Sequence, residues 1–135
     1  MTPSLVDSNV LLDVATEDPI WKELSETQLL AAAASGKVLV NPIIHAELSK
    51  AFAAESELDA SLKRSVFVRA PLPYSAAWPA GQAFHRYRKA GGTRTSPLPD
   101  FYIGAHAEVD GLTLITRDAA RYRTYFPRVK LISPD

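Results

Sequence analysis

Four acidic residues in four similar local settings are the part of this 135-residue chain equipped for chemistry. Asp7 ends the short apolar run Leu5-Val6 and is followed at once by Ser8-Asn9-Val10-Leu11-Leu12. Glu47 lies in Asn41-Pro42-Ile43-Ile44-His45-Ala46-Glu47-Leu48. Asp100 lies in Pro99-Asp100-Phe101-Tyr102-Ile103-Gly104-Ala105-His106-Ala107, and Asp118 in Thr113-Leu114-Ile115-Thr116-Arg117-Asp118-Ala119. Each acid alone has a plain structural use. Asp7 and Asp118 stand where helix N-caps stand, and Asp100 in a first helical turn is favoured by the helix dipole. Glu47 sits beside an apolar stripe, where a solvated glutamate is out of place. Independent caps have no reason to fall on one edge of a fold. The expectation is therefore that the fold gathers the four carboxylates around a divalent metal, because hard cations take oxygen ligands.

The elements that must position them follow from the pattern. Leu5-Val6 reads as a strand running into a helix from Val10 that closes at Glu17-Asp18-Pro19. Ile20 to Ser35 is a helix stopped by Gly36, and Val38-Leu39-Val40 a second strand. Asn41 caps the next helix with Pro42 at its first position, and Ile44, Leu48, Ala51 and Phe52 keep the rhythm of a core face. A helix is expected over Glu55 to Ser65, a strand at Val66-Phe67-Val68, and a helix over Tyr74 to Ala90 with a possible kink at Pro79. Gly91 to Pro97 is loop-like. Leu112 to Ile115 reads as a fourth strand, Ala119 to Tyr125 as a helix and Val129 to Ile132 as a fifth strand. Short, wholly apolar strands separated by helices indicate a parallel sheet covered on both faces, an α/β three-layer sandwich. No repeat or composition shift divides residues 1–135, so one domain is expected.

In such a sheet all strands point their carboxyl ends to one edge, where ligand sites form. Asp7 ends the first strand and Asp118 follows the fourth. Glu47 lies about two turns into its helix, roughly 9 Å along the axis, and helical side chains lean back toward the N-terminus. Gly104, Ala105 and Ala107 allow the Asp100 helix to pack closely.

The four segments, in this order and spacing, resemble the PIN domain, and specifically the single-domain VapC-type ribonuclease toxins of toxin–antitoxin pairs. The resemblance covers nearly the whole chain, and all four acids match. It implies a five-stranded parallel sheet in the order 3-2-1-4-5, Mg²⁺ or Mn²⁺ as cofactor, RNA phosphodiester cleavage, a homodimer and a neutralising antitoxin protein. Asp7 and Asp118 are the expected direct metal ligands, with Asp100 binding directly or through water. Glu47 would hold a metal-bound water or help deprotonate the nucleophile. Thr116 either orients a ligand or the attacking water, or simply bonds backbone at a strand end.

Arg86, Arg88, Lys89 and Arg94 precede Asp100, and Arg117, Arg121 and Arg123 flank Asp118. Arg117, Arg94 and Arg86 are the expected RNA phosphate contacts, Arg117 foremost; the other reading of the group before Asp100 is a solvated helix face. His45, His85 and His106 share no metal-ligand spacing and are read as structural or surface residues.

The composition narrows the classes. With 47% hydrophobic and 22% charged residues the chain is expected to be globular. Its formal net charge is zero, so any RNA contact must be local. Cysteine is absent, which removes disulfides, thiolate zinc sites and cysteine nucleophiles. No apolar run suits a bilayer and no signal peptide is evident, so a cytoplasmic protein away from membranes is expected. A phospho-accepting receiver would want adjacent acids after the first strand, where Ser8 follows Asp7. A haloacid-dehalogenase-type phosphatase would want an aspartate where Asn9 stands. The remaining alternative is a non-catalytic PIN-fold module that binds nucleic acid or scaffolds a partner.

Overall fold

The computed structural model describes residues 2–64, 67–94 and 98–134, with residues 63 and 64 described in backbone only. Five short strands form one sheet: β1 (Ser4–Val6), β2 (Val38–Val40), β3 (Phe67–Arg69), β4 (Thr113–Ile115) and β5 (Leu131–Ile132). The order is β3-β2-β1-β4-β5, and every neighbouring pair is parallel. The expected α/β architecture and strand order are thus observed. Burial falls from the centre outward: β1 and β4 are buried throughout, whereas β3 and β5 are only partly covered.

The helices are α1 (Ser8–Ala15), α2 (Lys22–Ser35), α3 (Pro42–Leu48), α4 (Glu55–Arg64), α5 (Ala77–Lys89), α6 (Pro99–Asp110) and α7 (Ala119–Tyr125). Short 3-10 turns at Ser49–Ala51 and Tyr74–Ala76 extend α3 and lead into α5. Residue chemistry explains the ends. The α2 helix starts at Lys22, later than the pattern suggested, because the Asp18 carboxylate accepts from the backbone N–H of Ile20 and Trp21 and holds them in a turn. Pro79 lies in the first turn of α5, where its missing N–H is not needed. The α6 helix closes on Gly111, whose φ of 64° is the left-handed conformation glycine adopts freely. The expected helix end at Ser65, strand start at Val66 and loop residues Thr95, Ser96 and Pro97 lie outside the described residues.

The α6 helix is the central pillar. Phe101, Ile103, Gly104, Ala105, His106 and Ala107 are all buried. Ala80 and Ala83 of α5 are also buried, and small residues of this kind let the two helices approach. An aromatic cluster ties the helix ends together, with Phe101 centroids 5.6 Å from Tyr87 and 5.4 Å from Tyr125. Gly104 is needed for contact rather than for a turn, since a Cβ there would overlap the ring of Phe126. Phe126 is 2% exposed and has nowhere to go. Gly104→Ala is therefore expected to lower stability by about 1–3 kcal/mol. Denaturant melts should show the loss, with Phe126→Leu added in the same chain restoring part of it.

Candidate metal centre

Strand register sets the floor of the site. Val6 of β1 lies opposite Ile115 of β4, so the residues that follow, Asp7 and Thr116, are neighbours. Asp7 extends the ladder by donating its N–H to the Ile115 carbonyl at 2.8 Å. The β1–β2 register, continued to the strand ends, sets Asn41 on the other side of Asp7. Three polar residues thus cap three adjacent apolar strands in one row. All are buried: Asn41 at 1%, Asp7 at 3% and Thr116 at 0% exposure.

A buried carboxylate persists only when its oxygens are satisfied. Asp7 Oδ1 accepts the backbone N–H of Ser8 at 2.8 Å and so caps α1. Its Oδ2 accepts from Thr116 Oγ1 at 2.8 Å, from the Tyr122 hydroxyl at 3.0 Å and from Asn9 Nδ2 at 3.3 Å. The Thr116 hydroxyl also accepts the backbone N–H of Asp118 at 2.9 Å, so it bonds backbone at the strand end as well as the Asp7 carboxylate.

The other acids are joined to this floor through single bridging groups. The Tyr122 hydroxyl also reaches Asp100 Oδ1 at 3.3 Å. The Arg121 guanidinium pairs with Asp100 Oδ2 through Nη1 and lies 3.5 Å from Asp118 Oδ2 through Nε. Ser8 donates its hydroxyl to Glu47 Oε1 at 2.8 Å. The α6, α7 and α3 helices therefore bring Asp100, Asp118 and Glu47 around Asp7. Asp118 holds the N-cap position of α7, but its side chain makes no capping bond. Its carboxylate faces Arg121 instead.

The electrostatics record the crowding. Burial, and next the Asp100 charge, raise the Asp7 carboxyl to about 6, against the pull of Thr116 and Tyr122, with Glu47 adding a smaller upward push. Burial also raises Glu47, opposed by the Ser8 hydrogen bond. Burial and the Asp7 and Asp100 charges hold the Tyr122 hydroxyl well above its ordinary range, so it stays a donor.

The basic residues divide. Arg117 is not free to meet a phosphate in this structure. Its guanidinium forks onto Asp13 at 2.6 and 2.9 Å and stacks over Trp21 at 4.8 Å. Asp13 is in turn held by Ser25. The Arg117 backbone N–H binds Asn9 Oδ1 at 3.2 Å, so this cluster clamps α1 to the Asp118 loop. Arg86 donates to the Tyr125 carbonyl at 2.9 Å and fastens α5 to the end of α7. Arg94 is exposed, and its carbonyl accepts from Arg88.

Histidines stand outside the acid cluster. His106 is buried, with Nδ1 3.0 Å from Asn41 Nδ2 and Nε2 3.1 Å from Asp110 Oδ2. Asn41 spends its oxygen on the Ile44 N–H, so it donates to Nδ1 and leaves the His106 proton on Nε2. Among the described residues, the one set of three metal-type ligands within 4.8 Å is His45, Glu55 and Asp59. There the groups already have partners, His45 Nε2 lying 3.2 Å from Glu55 Oε2 and Arg69 pairing with Asp59. The four acids are spaced wider, with the Tyr122 hydroxyl and the Arg121 guanidinium between them. They still fit a hard divalent ion, which needs only one or two carboxylates with water completing its shell. That a guanidinium already bridges two of them marks the place as short of positive charge.

Sequence reasoning found the acids but not Tyr122, Asn9, Ser8 or Asp13. Tyr122 had a usable signal: it lies one helical turn after Asp118, on nearly the same face of α7.

Comparisons with known proteins bear on the family and the fold. The PIN domain family model matches residues 4–127. Among solved structures the chain is similar to VapBC2 from Rickettsia felis bound to a promoter DNA fragment, with 20% identity, a TM-score of 0.73 and coverage of 97% of this chain and 98% of that one. It is also similar to FitAcB from Neisseria gonorrhoeae, with 23% identity, a TM-score of 0.69 and 96% coverage of each chain. A toxin–antitoxin complex from Klebsiella pneumoniae matches at 20% identity and a TM-score of 0.65, covering 98% of each chain. At these identities the likeness is one of fold. No curated protein sequence matches the chain.

A carboxyl raised to about 6 in the fold but at 3.8 in the unfolded chain carries a signed consequence. Its stability cost is absent below pH 3.8, grows as pH rises and is complete above about 6. Asp7→Asn does not titrate. Its oxygen can still cap Ser8, but its amide meets three donors, a conflict that does not vary with pH. The difference between the two proteins isolates the charge. In chelator, the native chain should lose on the order of 1–3 kcal/mol relative to Asp7→Asn between pH 4 and pH 7. A difference that stays flat across this window would show that Asp7 ionises normally.

Proposed function

The chain belongs to the PIN domain family, and from that premise we propose that it is a Mg²⁺- or Mn²⁺-dependent endoribonuclease, the cytoplasmic toxin of a toxin–antitoxin pair. The observation that carries the reading is the convergence of Glu47, Asp100 and Asp118, each from a different segment, around a fourth acid, the buried and hydrogen-bonded Asp7. Asp7, Asp118 and Asp100 are the residues that would hold the ion. A divalent cation held there supplies Lewis-acid stabilisation of charge building on a phosphate and a more acidic water.

The chain's own residues do the rest. Thr116 and Asn9 fix the Asp7 carboxylate, and Tyr122 steadies Asp7 against Asp100. Glu47, half-buried and raised above its ordinary range, is suited to accept a proton from an attacking water. Its Ser8 hydrogen bond orients it for that step. Arg94 is exposed, so its side chain is open to the RNA backbone. Arg86 has one guanidinium nitrogen on Tyr125, which leaves others for a phosphate. Arg117, locked on Asp13, acts by shaping the Asp118 loop.

Two features support a protein partner. The solved relatives are two-component assemblies, one of them named a toxin–antitoxin complex. A half-open apolar groove of about 480 Å³ runs beside α1, α2 and α4, lined by Leu11, Leu29, Leu30, Phe52, Leu58 and Leu62. Leu30 is 73% exposed at its edge, which suits the apolar face of an antitoxin segment. The toxin is expected to act as a homodimer.

Purified chain incubated with short RNA should cleave it with Mg²⁺ or Mn²⁺ and not with chelator. Asp118→Asn and Glu47→Gln should each slow cleavage by at least about 100-fold. Asp7→Asn should relieve growth arrest on expression. RNA that binds but stays intact with both metals would establish the non-catalytic module instead.

A further inference from the structure

Arg121 is the one cation in contact with the acid cluster among the described contacts, and it takes up the surface that an ion would use. Its Nη1 is paired with Asp100 Oδ2, and its Nε lies 3.5 Å from Asp118 Oδ2. The other Asp100 oxygen faces the Tyr122 hydroxyl at 3.3 Å. Asp100 therefore has both oxygens engaged. A hard divalent ion binds carboxylate oxygen at about 2.1 Å, and a guanidinium seated between two carboxylates fills that space.

Position tells Arg121 apart from its neighbour Arg117. Arg117 is 28% exposed, forked on an aspartate that is itself 4% exposed, and stacked on Trp21. Arg121 is 45% exposed and Asp118 44%, and among the described residues no aromatic ring stacks on Arg121. Its side chain can leave for solvent without moving α7. The cost of leaving is modest at Asp118, where both partners are exposed and screened by water, and larger at Asp100, which is 21% exposed. Thus one arginine sits in a partly buried clamp and the other bridges two acids at the rim.

We propose that Arg121 is an internal counter-cation that competes with the divalent ion for Asp100 and Asp118, so that the ion enters only by displacing it. This rests on the metal-dependent reading above and adds its regulation. In the metal-free chain Arg121 offsets the repulsion among the acids and holds Asp100 and Asp118 in register. The ion, with twice the charge and a shorter bond to oxygen, replaces it. The site then opens only where the divalent ion is abundant enough to win the exchange, and the freed guanidinium lies at the edge where an RNA phosphate would approach.

The test is calorimetric titration of MnCl₂ into the native chain, Arg121→Gln and Arg121→Lys at low ionic strength, with no RNA present. Circular dichroism checks that each variant is folded. Arg121→Gln should bind Mn²⁺ about three- to tenfold more tightly than native, as loss of a charge-assisted contact would allow. Arg121→Lys, which keeps the charge but loses the fork, should fall between them. Chelated Arg121→Gln should also melt no higher than native, since it loses the counter-charge. Folded Arg121→Gln that binds Mn²⁺ as native does, or more weakly, overturns the competition while leaving the metal site standing. Absence of Mn²⁺ binding in all three proteins overturns this proposal together with the metal-dependent reading.

Discussion

A carboxylate with almost no solvent contact, set at the end of the central strand, is the constraint on which the rest of the structure depends. Asp7 cannot be desolvated cheaply. It is tolerated because four donors from three parts of the chain converge on it: the Ser8 amide, Asn9, Thr116 and Tyr122. Those donors are in place only when β1 and β4 pair in the observed register and α7 packs back over them. No described buried side-chain nitrogen or oxygen lacks a partner, so the polar row at the strand ends is hydrogen-bonded throughout. Burial first, and the Asp100 charge next, still raise Asp7 to about 6 against those donors.

The helices have divided tasks around this point. The α6 helix delivers Asp100 from a rigid base, because its first turn is locked by Phe101 within the aromatic cluster and its middle is clamped by Gly104 on Phe126. The α7 helix is short and carries three consecutive functions on one turn and a half: Asp118 at its head, Arg121 bridging outward and Tyr122 reaching inward. The α3 helix begins on Asn41, which caps it through Ile44 and anchors it to α6 through His106. Its far end carries Glu47. Burial pulls His106 below its ordinary range, against the opposing pull of Asp110. A neutral ring at this joint keeps Nδ1 free to accept from Asn41.

Charge is handled differently inside and at the rim. Away from the acids, Arg117 and Asp13 form a close, forked pair backed by Trp21 and Ser25, a structural clamp between α1 and the loop that carries Asp118. At the rim the contacts are more exposed, and Arg121 spans two acids rather than pairing with one. The net charge of the whole chain is zero, so these local imbalances, not a global field, define where an ion or a phosphate is welcome.

The sequence by itself determined the architecture and the four acids. Short apolar runs between amphipathic helices admit few arrangements other than a covered parallel sheet, and strand ends in such a sheet share an edge, so Asp7 and Asp118 had to be near each other. Helix starts were legible where a cap was local, as at Asn41, and shifted where a side chain competed for the backbone, as at Asp18. What only the tertiary structure decided is which partner each charge takes. Arg117 adjoins Asp118 in the chain, yet its side chain is drawn to Asp13, far away in sequence. Arg121, a turn further on, is the one that bridges Asp118 and Asp100. Tyr122 reads as an ordinary core aromatic until α6 and β1 bring two carboxylates to its hydroxyl. Spacing along a chain places residues on an element's face, but the partner of a long or amphipathic side chain depends on what packs opposite that face.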